Sequence, residues 1–160
     1  MTATAQRSGA IAQVGQAAPD FTLSSTAGQQ VSLSALRGKN VLVAFFPLAF
    51  TSTCTAELCE MRDDFAQFEQ RGTVVLPVSV DSVPTLKEYK SKYDMRVELL
   101  SDFKREASRA FGVLNEEKFF ANRSYFLIDR DGVVRWSHVE TNNSERRPDD
   151  EILREIDRLA

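Results

Sequence analysis

The hydrophobic pattern is dominated by an unbroken apolar run, Val41 to Phe46, that stops at Pro47. A strand apolar on every residue is covered on both faces, so this run predicts the central strand of a parallel or mixed sheet. A short polar turn follows, and then Leu58, Met61, Phe65 and Phe68 recur at intervals of three and four. That period is one face of an amphipathic helix, predicted from about Thr53 to Gln70 and stopped by Gly72.

Weaker patterns fill in the rest of the chain. Gly15 to Leu23 opens the folded part, and the first fourteen residues, Met1 to Val14, are expected as a flexible tail. Thr26 to Gln30 reads as a turn, Val31 and Leu33 alternate with serines as a short strand, and Ser34 is placed to cap a helical turn ended by Gly38. Thr73 to Val80 predicts a second strand. Pro77 within it cannot donate to a ladder, so this strand is expected to be unpaired on one side there, or bulged. Ser82 and Pro84 start a helix, Glu98 to Leu100 is a short strand, and Lys104 to Phe111 is a helix ended by Gly112. Ser124 to Ile128 and Val133 to Trp136 flank an Asp131–Gly132 hairpin turn. Asp149 to Leu159 closes the chain as a helix, acidic at its start and burying Ile152, Ile156 and Leu159. Strands alternating with helices, then a hairpin and a last helix, describe one α/β domain, residues 15–160, around a central mixed β-sheet flanked by helices.

Composition excludes more than it selects. The 160 residues carry a net charge of −3 with both signs interspersed, so no basic patch offers itself to nucleic acid or an anionic membrane. No apolar stretch approaches the roughly 18 residues of a membrane span. The N-terminus has neither the apolar core nor the basic start of a secretory signal, and two closely spaced cysteines fit a reducing compartment, so a cytoplasmic location is expected. Two cysteines and one distant histidine, His138, fall short of a zinc site, C-x-x-C is absent, and His138 is read as a solvated strand residue.

The candidate chemistry lies at Cys54. Counting back from Leu58 puts it on the inward helix face, in the first turn, where unpaired N–H groups and the helix dipole stabilise a thiolate. Pro47, Thr51 and Cys54 stand as P-x-x-x-T-x-x-C, which resembles the active-site signature of the peroxiredoxins. The resemblance extends over Ala18–Phe21, Phe45–Pro47 and Arg123–Ser124. Within the family, Phe45–Thr51, Leu100–Phe103 and Phe111–Glu116 are most similar to the AhpE-type group. It implies a thioredoxin-like fold and a thiol-dependent peroxidase acting on hydrogen peroxide and organic hydroperoxides, with no cofactor or metal.

The roles follow from that resemblance. Cys54 is the nucleophile, Arg123 the cation holding sulfur and peroxide oxygen, and Thr51 a hydroxyl orienting the peroxide. Pro47 shields the thiolate, and Glu57 fixes Arg123 or simply answers the helix dipole. Cys54 and Cys59 form C-x4-C, similar to the bacterioferritin comigratory (PrxQ) group, where the later cysteine resolves the sulfenic acid. Many AhpE-type relatives use one cysteine, so recycling by an external thiol stays open, as does a non-catalytic peroxide sensor. Implied partners are a thioredoxin, a glutaredoxin-like protein or a low-molecular-weight thiol. A homodimer through Phe50 and Lys118–Phe120 is also expected.

Overall fold

The apolar run from Val41 becomes the middle of a sheet because its alternate side chains can then be buried in two different cores. The computed structural model describes residues 10–159. The strands are β1 (Thr22–Ser25), β2 (Gln30–Ser32), β3 (Asn40–Phe45), β4 (Thr73–Ser79), β5 (Leu100–Ser101), a small separate hairpin of β6 (Leu114–Asn115) and β7 (Phe120–Ala121), then β8 (Ser124–Ile128) and β9 (Val134–Val139). The main sheet is seven-stranded in the order β2–β1–β5–β4–β3–β8–β9. β3, β4 and β5 run parallel, and β1, β2, β8 and β9 pair antiparallel to their neighbours.

Leu42, Ala44 and Phe46 point to the core shared with α1 (Ser52–Asp63), α2 (Phe65–Gln70), α3 (Val83–Lys92) and α5 (Asp149–Asp157), through Leu58, Met61, Phe68, Leu86, Tyr89, Ile152 and Ile156. Val41, Val43 and Phe45 point the other way, to a core with Phe21, Phe126 and Val134 that α4 (Glu106–Ala110) helps to cover. Phe45, Phe111 and Phe126 pack there with ring centroids 5.0–6.0 Å apart. The mixed sheet flanked by helices is therefore as the pattern implied. No helix among the described residues is long and apolar enough to cross a membrane.

Several local expectations are refined. The helix expected from Thr53 to Gln70 is two segments, α1 and α2, separated at Asp64 (φ −97°, ψ 9°). The Asp64 carbonyl accepts the Gln67 N–H at 2.9 Å, a tight three-residue closure that an aspartate, poor in helix interiors, tolerates. Pro77 pairs with Ala44 on β3, while β5 pairs with β4 only at Val78 and Ser79. The strand thus has its unpaired side where the missing N–H would have pointed. Ser34 is not a cap: the turn is a 3-10 helix, Leu33–Leu36, and the Ser34 N–H donates to the Asp20 carboxylate at 2.9 Å. Ser82, in contrast, caps α3 by accepting the Thr85 N–H. Residues 1–9 of the expected tail lie outside the described residues. Ile11 and Ala12 pack against the second core, and the Ala12 N–H donates to the Phe111 carbonyl at 3.1 Å.

Candidate active site

The end of β3 sets the site. The Phe46 N–H continues the ladder to the Val78 carbonyl at 2.9 Å, and Pro47, which has no N–H to offer, is buried at the point where pairing stops. The chain then turns over a loop pinned by Asp81, whose carboxylate accepts the Ala49 N–H at 2.8 Å and the Ser79 hydroxyl at 2.7 Å. Phe50 takes the left-handed conformation (φ 69°), which costs a non-glycine residue about 1–2 kcal/mol. Its ring packs on Tyr89 at 4.7 Å, a contact that offsets part of that strain.

Thr51 is the residue before α1, extended at φ −82°, ψ 154°. Its hydroxyl donates to the Leu48 carbonyl at 2.7 Å, and its own carbonyl accepts the Thr55 N–H at 2.9 Å. Cys54 is the third residue of α1 and completely buried, 0% exposed, among Leu58, Met61 and Tyr89. The first-turn N–H groups have no intrahelical partners, so the sulfur sits where the helix carries partial positive charge.

Arg123 arrives from the other side, just before β8. One guanidinium nitrogen, Nη2, donates to Cys54 Sγ at 3.1 Å and to the Asn143 carbonyl at 3.0 Å. Nη1 donates to Glu57 Oε1 at 2.6 Å. Glu57, one turn after Cys54 on the same helix face, accepts the Tyr125 hydroxyl on Oε2 at 2.5 Å. The Tyr125 oxygen in turn accepts the Arg147 N–H at 3.0 Å, and the Asn143 side chain accepts the Arg123 backbone N–H at 2.7 Å. Arg123 and Glu57 are each 1% exposed.

A buried pair of this kind is high-stakes. Breaking it by removing one partner leaves a buried charge uncompensated, at a cost of about 3–5 kcal/mol. Burial pushes the Glu57 carboxyl up, while Arg123 and the Tyr125 hydroxyl oppose that rise. Burial also works against the Arg123 charge, but Glu57 and Cys54 outweigh it, and its pKa is raised. Tyr125 is raised too, by burial and then by Glu57, so it stays a neutral hydrogen-bond donor.

The structure brings together Cys54, Arg123 and Glu57, while Pro47 is buried just past the end of β3. Thr51 borders the site without a side-chain bond to the sulfur. Cys59 is half-buried on another side of α1, and both cysteines are free thiols. His138 lies in β9 opposite Tyr125 and bonds Glu140 Oε1 at 3.1 Å, with no bond to Cys54, Arg123 or Glu57. Tyr125 and Asn143 were not anticipated. Tyr125 had a signal, since it is two residues after Arg123 and strand parity sends both to one face.

A mixed sheet whose central strand ends in a proline and delivers a cysteine to the first turn of a helix, against a buried guanidinium, defines a thioredoxin-like thiol protein. The chain belongs to the AhpC/TSA family, whose profile matches residues 14–137. Its similarity to relatives spans most of both sequences. It is 43% identical over 130 residues to alkyl hydroperoxide reductase E of Mycobacterium tuberculosis, covering 79% of this chain and 85% of that protein. It is 38% identical over 138 residues to the putative peroxiredoxin bcp of Coxiella burnetii, covering 81% of this chain and 91% of that protein. Among solved structures, the reduced 2-Cys peroxiredoxin of Plasmodium vivax superposes with a TM-score of 0.85 at 32% identity, covering 91% of this chain and 81% of that one. The peroxiredoxin resemblance read from the motif is therefore shown, with both an AhpE-type and a bcp-type relative.

Proposed function

We propose that the chain is a thiol-dependent peroxidase in which Cys54 is the peroxidatic residue and Cys59 the resolving one. The observation that carries this reading is the Arg123 Nη2 donor 3.1 Å from Cys54 Sγ. A guanidinium there donates to the sulfur and offers its remaining donor capacity to a peroxide oxygen. The thiolate attacks one oxygen, the S–O bond forms as the O–O bond breaks, and the other oxygen leaves as hydroxide or alkoxide and takes a proton from solvent. Peroxide is reduced and Cys54 becomes a sulfenic acid. The first-turn N–H groups and Arg123 stabilise the charge developing on oxygen. Thr51, bordering the site, turns its oxygen lone pairs to the incoming peroxide while its proton stays with Leu48. The Cys59 thiol then attacks the oxidised sulfur, water departs, and a disulfide forms that an external thiol reduces by exchange. Because Cys54 is 0% exposed, peroxide reaches the sulfur only when a neighbouring side chain yields.

The reductant is a thioredoxin, a glutaredoxin-like protein or a low-molecular-weight thiol. Steady-state consumption of hydrogen peroxide and of an organic hydroperoxide, with each donor in turn, tests the reading. Wild type is expected to turn over with at least one donor and Cys54→Ser with none. Cys59→Ser should still complete one turnover. Equal consumption by wild type and Cys54→Ser ends the proposal.

The same reading includes association with a second copy. β3, β4 and β5 run parallel, so the loops after them lie at one end of the sheet. There Phe50 and Phe103 are 44% and 60% exposed, and Arg105 stacks between Phe103 and Phe119 at 5.7 and 4.1 Å. Phe119, in the Lys118–Phe120 segment, is 45% exposed. Sedimentation at high micromolar concentration is expected to show a dimer that Phe50→Asp disrupts. A monomer at every concentration removes this part of the proposal.

A further inference from the structure

At the carboxyl end of α1, away from the thiol, three carboxylates converge. One oxygen from each of Glu60, Asp64 and Asp149 lies within 4.8 Å of the others. Glu60 and Asp64 come from α1 and its junction with α2, and Asp149 is the first residue of α5. Asp149 is 1% exposed, and its Oδ2 has no hydrogen-bond partner among the described residues. Buried polar atoms are nearly always paired, and an unpaired carboxylate oxygen facing two more carboxylates is the least favourable kind.

The neighbouring positive groups do not resolve this. Arg146 pairs with Glu60 Oε1, and the Asp149 N–H donates to Glu60 Oε2 at 3.1 Å. Arg123 is committed to Glu57 and Cys54. Three carboxylates thus face one guanidinium, and no donor among the described residues reaches Asp149 Oδ2.

We propose that Glu60, Asp64 and Asp149 form a binding site for a hard divalent cation of calcium size. All the donors are carboxylate oxygens, the chemistry hard cations take. Three protein carboxylates on one ion suit Ca²⁺, which takes flexible all-oxygen sites at about 2.3–2.6 Å, better than Mg²⁺, which keeps several waters and takes one or two carboxylates. Glu60 is 30% exposed, so water can complete the coordination from the solvent side. The ligands come from both α1 and α5, so the site exists only while the last turn of α1 is folded. Binding would stabilise that conformation by mass action. Resting on the peroxidase reading above, it would also slow Cys54–Cys59 disulfide formation, which needs α1 to open.

The test uses reduced full-length protein freed of metal by a chelator, so its outcome is independent of any peroxide chemistry. Calorimetric titration with CaCl₂ is expected to give one ion per chain, with a saturable rise in the thermal midpoint. Asp149→Asn and Asp64→Asn should each weaken binding at least about tenfold, since each removes an ionised oxygen ligand. Glu60→Gln serves as the third variant if either of these fails to fold. Absence of heat and of any thermal shift at millimolar Ca²⁺ would mean that a proton, not a cation, occupies the centre, and would overturn the proposal. Binding unchanged in Asp149→Asn would overturn it as well, by showing that the ion sits elsewhere on the surface. With the site confirmed, 1 mM Ca²⁺ (roughly saturating for a site of moderate affinity) should slow disulfide formation in wild type but not in Asp149→Asn.

Discussion

Arg123→Ala is expected to slow oxidation of Cys54 by hydrogen peroxide by on the order of 10²- to 10³-fold, the cost of removing one well-placed donor to developing charge. It also takes the partner from Glu57, which stays 1% exposed beside the Tyr125 hydroxyl. The variant should therefore lose about 3–5 kcal/mol of stability at neutral pH. The two effects separate experimentally. Arg123→Lys keeps the charge but not the fork that reaches Glu57, Cys54 and Asn143 together, so it should oxidise faster than the alanine variant and slower than wild type. The pH dependence carries a further signature. The Glu57 carboxyl is already pushed up by burial, and without Arg123 only the Tyr125 hydroxyl and the weaker field of Arg146 oppose that rise. A carboxyl raised in the folded state binds its proton there while the unfolded chain has lost its own. Stability therefore falls as pH rises from the unfolded value, about 4.3, towards the folded one. Arg123→Ala should accordingly recover stability on acidification towards that range more than wild type does. Stopped-flow oxidation and urea titrations at several pH values check both parts. Oxidation within about threefold of wild type would place Arg123 outside the chemistry.

Oxidised protein is expected to lose amide-exchange protection from Thr55 to about Asp63. Cys54 and Cys59 both lie in α1, and five residues of ideal helix put their Cα atoms about 8.6 Å apart. Disulfides rarely bridge Cα atoms beyond about 7 Å, so an intact α1 cannot hold the bond. The structure adds what the opening must break: Arg123–Glu57, Tyr125–Glu57, Arg146–Glu60 and the Asp149 N–H to Glu60. The sequence between Thr53 and Asp63 contains no proline or glycine, so the helix reforms once the bond is reduced. Hydrogen exchange with mass spectrometry on reduced and peroxide-treated protein reads this directly. Treated protein carrying a persistent sulfenic or over-oxidised Cys54 with Cys59 still free would leave a one-cysteine enzyme recycled by an external thiol.

The half of the site borne by α1 was legible because it is local. An apolar strand, a proline, a turn and a 3.6-residue period suffice to place Cys54 on the inward face, with Glu57 one turn further on. Arg123 lies 69 positions away from Cys54, and only family resemblance connected the two before the fold did. Asn143 had no signal, because part of what it offers is a backbone carbonyl, an atom every residue has. The break at Asp64 and the short β6–β7 hairpin were also hidden, since both depend on packing more than on periodicity. Pro77 could be read ahead of the structure because a missing donor constrains pairing wherever the strand lies.

Placing Glu57 and Cys54 on the same turn has a consequence for over-oxidation. Glu57 holds Arg123 against the sulfur, so when that turn opens, the sulfenic acid loses its cation and leaves the pocket in one motion. A second peroxide then finds no activated sulfur in the position where the first one reacted. With Cys59 resolving as proposed, whether the enzyme ends as a disulfide or as sulfinic acid becomes a race between the opening of that turn and the arrival of the next peroxide molecule.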